Sequence, residues 1–139
     1  MPVYTRILTV PPNTPPESPK AEFLDVDYGI LYRITIQIPP GHHGLTGMRI
    51  LYGNAQLWPL PEGTWFRGSG VLLNFDERWV TPDRPTRLCL QGYNLDTAYE
   101  HSFYVTLGVL PPEEISFTAM AKGVAGRVTQ ALKTLFGIV

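Results

Sequence analysis

Residues 30–41 read ILYRITIQIPPG, and this stretch decides the fold class of the chain. One set of alternating positions holds Ile30, Tyr32, Ile34, Ile36 and Ile38, and the other set holds Leu31, Arg33, Thr35 and Gln37. Successive side chains of an extended strand point to opposite faces of a sheet, so this alternation predicts a β-strand with its isoleucines on one buried face. The two prolines and the glycine that follow predict the end of that strand.

Short apolar runs of the same kind recur as far as about residue 110, and turn residues separate them. So many short strands between turns are typical of an antiparallel sandwich or barrel. We therefore expect residues 21–112 to form one β-domain. Besides the strand at 30–38, its strands are predicted at residues 47–52, 55–58, 64–67, 71–75, 87–92 and 101–109.

The N-terminal segment is predicted to form an extended arm over residues 1–20. Residues 2–10 have the composition of a short strand, and residues 11–19 read PPNTPPESP, with five prolines in nine positions. Proline fixes φ and removes an amide donor, so the second part is expected to be extended and largely polyproline II. The apolar and aromatic residues that precede it are expected to dock on a neighbouring surface; they are Val3, Tyr4, Ile7, Leu8 and Val10.

Residues 113–139 are predicted to form an amphipathic helix. Large apolar residues recur there at spacings of three and four, which indicates one face of a helix. Residues 117–139 also carry three basic and no acidic residues, so this helix suits an acidic partner surface. The apolar stripe predicted to contact a neighbour consists of Phe117, Met120, Val124, Val128, Leu132, Leu135 and Phe136.

Composition excludes several classes of protein. The chain has 139 residues, enough for a single domain, and only 17% of them are charged, with a formal net charge of −1. This balance argues against a highly basic nucleic-acid binder and against an acidic disordered chain. The single cysteine, Cys89, permits no intramolecular disulfide and is expected to be a buried structural thiol. The N-terminus lacks the pattern of a secretion signal, and no run of apolar residues is long enough for a membrane-spanning helix.

Candidate chemistry is sparse, and we predict no enzyme activity, no metal and no cofactor. Phosphate-binding glycine motifs and a Gly-x-Ser-x-Gly elbow are absent from the sequence. His42 and His43 are adjacent, so their side chains point apart on extended backbone, and a metal site that also used His101 matches no known zinc spacing. Aromatic residues offer an alternative, a surface that stacks against glycans, whose predicted contacts are Trp58, Trp65 and Trp79.

The central sequence resembles small jelly-roll proteins of tailed phages and related viruses. The resemblance rests on residues 29–45, on the QLWP run at 56–59 and on the GYNLDTAYEH run at 92–101. It implies a jelly-roll-like sandwich and a role as a capsid decoration or other virion surface protein. It also implies trimers or higher assemblies in which extended segments grip neighbouring copies, and it carries no catalytic residues.

These observations together predict a non-enzymatic structural protein that self-associates through its arm and its C-terminal helix. Its expected partners are copies of itself and a capsid or other scaffold protein, within a virion assembled in the host cytoplasm. The alternative is a carbohydrate- or receptor-binding β-sandwich module. A third hypothesis places the basic amphipathic helix on a membrane surface.

Overall fold

The computed structural model describes residues 3–111; residues 1, 2 and 112–139 lie outside the described part. The described chain is all-β, a sandwich of two antiparallel four-stranded sheets. The strand order is β1-β8-β3-β6 in the first sheet and β2-β7-β4-β5 in the second. The strands are β1 (Val3–Val10), β2 (Lys20–Val26), β3 (Ile30–Ile38), β4 (Thr46–Tyr52), β5 (Ala55–Trp58), β6 (Val71–Val80), β7 (Thr86–Asn94) and β8 (His101–Leu110).

The core lies between the two sheets and is built from alternate residues of their strands. In β8, for example, Phe103, Val105, Leu107 and Val109 are fully buried, while Tyr104 between them is exposed. Burying apolar surface of this kind is the main favourable term in folding, and it fixes the register because a one-residue slip would turn the apolar set outward.

Strand β3 has the predicted bounds and one unexpected feature. The register shifts between Leu31 and Arg33 in the pairings with both β6 and β8, so a bulge interrupts the alternation. As a result Ile34, Ile36 and Ile38 are fully buried as predicted, but at the start of the strand Leu31 is buried instead of Ile30. An extra residue in one strand shifts the alternation, so side chains before the bulge face the opposite way from the pattern that holds after it. A regular alternation in the sequence does not predict this change.

The N-terminal segment differs from the prediction of an arm over residues 1–20. Residues 3–10 form a strand, as their composition suggested, but that strand pairs along its whole length with β8 of the same chain, from Val3 opposite Gly108 to Val10 opposite His101. The proline-rich residues that follow also stay on the domain, where Thr14 bridges to Asn94. Two apolar residues of β1, Leu8 and Val10, are buried in this chain's own core, so the segment is part of the domain and does not reach out as an arm.

Other strand boundaries show where local pattern failed. Residues 64–67 form no strand, although Phe66 makes an isolated bridge to Met48. Strand β6 continues to Val80, past the predicted end at residue 75. In this extension the exposed Asp76 and Arg78 alternate with the half-buried Glu77 and Trp79, as in a regular strand. Strand β2 was not predicted at all. The helix predicted over residues 113–139 lies outside the described residues.

Candidate functional site

The outer face of the first sheet carries an apolar row that crosses all four strands. Ile7, Tyr104, Gln37 and Leu72 are direct cross-strand neighbours in that order. Ile7, Tyr104 and Leu72 are 51%, 40% and 63% exposed, although such residues are usually covered. The next row is made of small polar residues, and the Thr35 hydroxyl in it donates to Asn74 Oδ1 at 3.0 Å. This face combines an apolar row, a row of small polar residues and the Arg33–Asp76 ion pair, a mixture that suits contact with another protein surface.

Strand β6 forms one edge of the same sheet. Within residues 3–111 it pairs with β3 alone, so the backbone groups along its other side have no strand partner there. Edge strands are usually protected by being short or by containing proline or lysine, since an open edge is a template for pairing. At ten residues β6 is long, it contains neither residue type, and Leu72 and Val80 project from it exposed. By contrast, the edge strand β5 has only four residues and is followed by Pro59.

The predicted N-terminal contact residues separate into two groups. Leu8 and Val10 are fully buried in the core and cannot contact a neighbour, so that part of the prediction is wrong. Val3 and Ile7 alternate with them on the opposite face and are more than half exposed. Tyr4 is partly buried, and its hydroxyl oxygen accepts a hydrogen bond from the Asp27 amide at 3.2 Å. The C-terminal contact residues lie outside the described residues; they are Phe117, Met120, Val124, Val128, Leu132, Leu135 and Phe136.

The three tryptophans predicted to contact glycans do not share one surface. Trp58 is only 7% exposed and belongs to the core. Trp79 packs against it edge to face, with ring centroids 5.7 Å apart, and the Trp58 indole donates to Glu77 Oε2 at 2.7 Å. Trp65 instead packs against Tyr93, at a centroid distance of 4.8 Å. Trp58 and Trp79 thus pack into or against the core, whereas Trp65, which is partly exposed, lies outside the core cluster.

The surroundings of Trp65 form a cluster that local sequence pattern did not reveal. Arg49 lies over the Trp65 ring at 4.2 Å from its centroid, and Arg67 lies 5.7 Å from the centroid of Tyr93. Arg49 and Tyr93 belong to the neighbouring strands β4 and β7. Gly47 is opposite Tyr93, and a Cβ there would collide with the tyrosine ring. We call this set, together with Gln56 and Gln91, the Arg49 cluster.

The histidines lie at the end of the sandwich where β3 leads into β4 and β7 into β8. His42 is 1% exposed, and its Nδ1 is 2.6 Å from the Thr46 hydroxyl. His101 Nε2 is 2.9 Å from Asp96 Oδ2, and the rings of His42 and His101 pack with centroids 4.6 Å apart. His43 is exposed, with a φ of 52°. The two buried rings therefore pack against each other, while His43 lies apart from them.

Two pKa shifts follow from this packing. Burial, reinforced by the neighbouring His101, lowers the pKa of His42, which favours the neutral ring. The Asp96 carboxylate accepts hydrogen bonds from the Ala98 amide at 2.9 Å and the Tyr99 amide at 3.3 Å. The Ala98 amide, followed by the bond with His101, lowers the pKa of Asp96. His42 Nδ1, His101 Nε2 and both oxygens of the Asp96 carboxylate thus each have a hydrogen-bond partner within the fold.

Cys89 is half-buried and not fully buried as expected, because it alternates with the buried Leu88 and Leu90 along β7. It lies in β7 opposite Phe23 and Leu51 in the second sheet, whereas His101 belongs to the first sheet. Burial raises the pKa of the Cys89 thiol, with a smaller opposing effect from Arg49. A raised pKa reduces the fraction of reactive thiolate.

Within residues 3–111 no group of three or more histidine, cysteine, aspartate or glutamate side chains is arranged to hold a metal ion. The same part of the chain contains no helix with the length and apolarity needed to cross a membrane. Comparison with known proteins finds no matching family model and no curated protein of significant similarity.

Proposed function

We propose that the chain is a non-enzymatic structural protein that self-associates through the open edge of β6 and the apolar outer face beside it. The observation that carries this proposal is the length of β6, ten residues with no strand partner on one side within residues 3–111. An extended edge of this kind gains a row of backbone hydrogen bonds when a second strand joins it.

The charges on β6 favour a second copy of the chain as the partner. Asp76 and Arg78 are both exposed and have opposite signs, and Asp76 also pairs with Arg33 of its own chain at 3.4 Å. When two β6 strands pair antiparallel about a two-fold axis, each Asp76 can face Arg78 of the other copy. Glu77, at the centre of that register, already accepts a hydrogen bond from the Trp58 indole at 2.7 Å. The two Glu77 residues lie opposite each other in this register, and each is held by its own Trp58, so the opposite charges that meet across the edge are Asp76 and Arg78, as an isologous dimer requires.

Charge exchange tests this arrangement. We expect Arg78→Asp to weaken self-association, because each aspartate introduced would face Asp76 of the other copy, and the double variant Asp76→Arg with Arg78→Asp to restore it. Light scattering with size-exclusion chromatography over a range of concentrations measures the association. A native protein that stays monomeric throughout, or a double variant no better than the single one, would contradict the proposal.

The finer fold that we propose is a jelly roll. Its support is the nesting of the strand pairs: β1 pairs with β8, β2 with β7, β3 with β6 and β4 with β5. Nested pairs of this kind describe one long antiparallel hairpin rolled into two sheets. Jelly rolls are common among viral capsid proteins and lectins.

The setting that we propose for self-association is a virion, with a capsid or other scaffold protein as the second partner. This part of the proposal rests on fold analogy and on the resemblance to phage jelly-roll proteins. A role for residues 113–139 as a further contact element remains a prediction. Deleting residues 113–139 and repeating the light scattering tests it, since unchanged association would remove that role.

A second candidate function is carbohydrate or receptor binding, since lectins also use jelly rolls. The observation that favours it is Trp65, which is partly exposed beside the Arg49 guanidinium. Glycan-array binding that is lost in Trp65→Ala but kept in Leu60→Ala, a change at an exposed position of a nearby loop, would support this function.

A further inference from the structure

The Arg49 guanidinium is held in place by uncharged groups. Its Nε donates to Gln91 Oε1 at 2.9 Å, and its Nη1 donates to Gln56 Oε1 at 3.4 Å. The plane of the guanidinium lies over the Trp65 ring, with the central carbon 4.2 Å from the ring centroid. Three contacts on different sides leave this side chain little rotational freedom.

Gln56 is itself fixed by the loop that follows β5. It is 8% exposed, and its Nε2 donates to the carbonyl of Pro59 at 2.6 Å and that of Thr64 at 2.9 Å. Its Oε1 also accepts a hydrogen bond from the Gly63 amide at 3.1 Å. A buried amide with this many partners is a rigid support, so the position of Arg49 is set before any ligand arrives.

Within residues 3–111, no carboxylate lies within ion-pair distance of Arg49 or Arg67. Of the seven arginines in residues 3–111, Arg33 and Arg87 each pair with an aspartate, and the other five form no ion pair with a carboxylate of that part of the chain. A partly buried arginine without a counter-charge is unfavourable, because desolvation is not offset by an ion pair. Arg49 differs from the other unpaired arginines of residues 3–111 in being partly buried, so a negative charge supplied by a ligand would offset the desolvation of its guanidinium.

The donors of this cluster are not all used. Arg49 Nη2 takes part in no hydrogen bond among the described residues, although Nε and Nη1 of the same side chain do. In that part of the chain no buried side-chain nitrogen or oxygen lacks a partner, so Nη2 is reached by solvent. The free edge of the guanidinium therefore faces outward, where a planar oxyanion can accept hydrogen bonds from it.

We propose that the Arg49 cluster binds the carboxylate of an acidic saccharide. Arg49 supplies the fixed donors, Arg67 supplies a second positive charge, and the exposed part of Trp65 contacts the apolar edge of the sugar ring. A carboxylate matches the fork of a guanidinium, and a sugar ring supplies both the hydroxyls and the apolar edge that the amides and the indole can contact. This inference rests on the second candidate function above, because it names the ligand chemistry of the same surface.

Titration calorimetry with 3′-sialyllactose, lactose and inorganic phosphate tests the proposal on the full chain. We expect binding of sialyllactose, and at least about tenfold weaker binding of lactose, because hydrogen bonds to a charged group are worth about 1.5–3 kcal/mol. Arg49→Gln and Arg67→Gln should each weaken binding of sialyllactose. Arg84→Gln is the matched control, since Arg84 also stacks on an aromatic ring, 4.1 Å from the Tyr28 centroid, but outside the cluster.

The outcomes separate the two claims. Equal binding of lactose and sialyllactose would support carbohydrate binding as the function, but it would contradict the proposal that Arg49 and Arg67 bind a carboxylate. Binding of phosphate alone would contradict the proposal that the ligand is a saccharide. No binding of either sugar would count against both carbohydrate binding and the acidic ligand. Arg67 is exposed, so Arg67→Gln is expected to fold normally and stays informative if Arg49→Gln unfolds. Undiminished binding by a folded Arg67→Gln variant would also contradict the proposal.

Discussion

His42 and His101 pack ring against ring at one end of the sandwich, with centroids 4.6 Å apart. The two residues come from different connections of the chain, and each has its own polar partner, Thr46 for His42 and Asp96 for His101. The site therefore holds one nearly inaccessible imidazole beside a second imidazole that is hydrogen-bonded to a carboxylate.

This packing predicts a loss of stability at mildly acidic pH. His42 has a lowered pKa in the folded protein, whereas in the unfolded chain it takes up a proton near pH 6.5. Below pH 6.5 the unfolded state therefore binds more protons than the folded state. The free energy of unfolding decreases as the pH is lowered, until the pH reaches the pKa of His42 in the folded protein. The ring of His42 is in contact with His101, Phe103 and Thr46, and Asp96 lies one contact further away, bonded to His101.

Urea unfolding from pH 8 to pH 5 measures the effect. The native protein should lose stability over this range, and His42→Gln should lose less. The lowered pKa of Asp96 acts in a separate window, because stability from that group is lost only below its ordinary value of 3.8. Equal pH dependence in the native protein and in His42→Gln would contradict the role of His42.

Strand β1 should contribute to folding, as its pairing with β8 implies. Leu8→Ala is expected to lower the free energy of unfolding by about 2–5 kcal/mol, since Leu8 is fully buried. Ile7→Ala, at the neighbouring half-exposed position, should change it by about 0.5 kcal/mol. Denaturant unfolding measures both values. Similar small effects at the two positions would mean that the segment is not part of the cooperative fold.

Thr81 should stabilise the protein through its hydroxyl. It is fully buried, accepts a hydrogen bond from the Gly29 amide at 2.7 Å and donates to the Gly29 carbonyl at 3.1 Å. Thr81→Val keeps the shape but leaves the buried amide without a partner, so we expect a loss of about 1–3 kcal/mol. Thr35→Val on the outer face is the control and should change stability by about 0.5 kcal/mol. Thermal denaturation distinguishes the two variants.

Cys89 should react slowly with alkylating reagents in the native protein. Burial raises the pKa of its thiol, so little thiolate is present near neutral pH. Iodoacetamide labelling at pH 8, followed by mass spectrometry, is expected to be much slower in buffer than in urea. Equal rates in the two conditions would show that the thiol is not protected by the fold.

Local pattern predicted the strands whose two faces differ strongly in polarity. The bounds of β3 and β5 were predicted correctly, and β8 differs from its prediction by one residue. Strand β2 was missed because it lies between a proline-rich segment and a polar turn, and its short run of alternating residues includes an exposed phenylalanine, Phe23. The end of β6 was missed because three charged residues at 76–78 interrupt the apolar pattern.

The candidate site was harder to predict than the strands. Trp65 was identified from its residue type alone, but Arg49, Gln56 and Gln91 carry no local signal. They meet because β4 pairs with β7 and because the loop after β5 folds back onto Gln56. For β1, too, the pairing with β8 had to be known. Leu8 and Ile7 are both large apolar residues, but Leu8 faces the core and Ile7 faces outward.

By itself, the sequence determined that this is an all-β domain, because the alternation of polar and apolar side chains is a property of each strand alone. Within residues 3–111, the tertiary structure decided which strands are neighbours, which strands lie at the edges of the sheets and which partly buried arginine has no carboxylate beside it. Those features depend on contacts between residues that are far apart in the chain, and no local pattern encodes such distances.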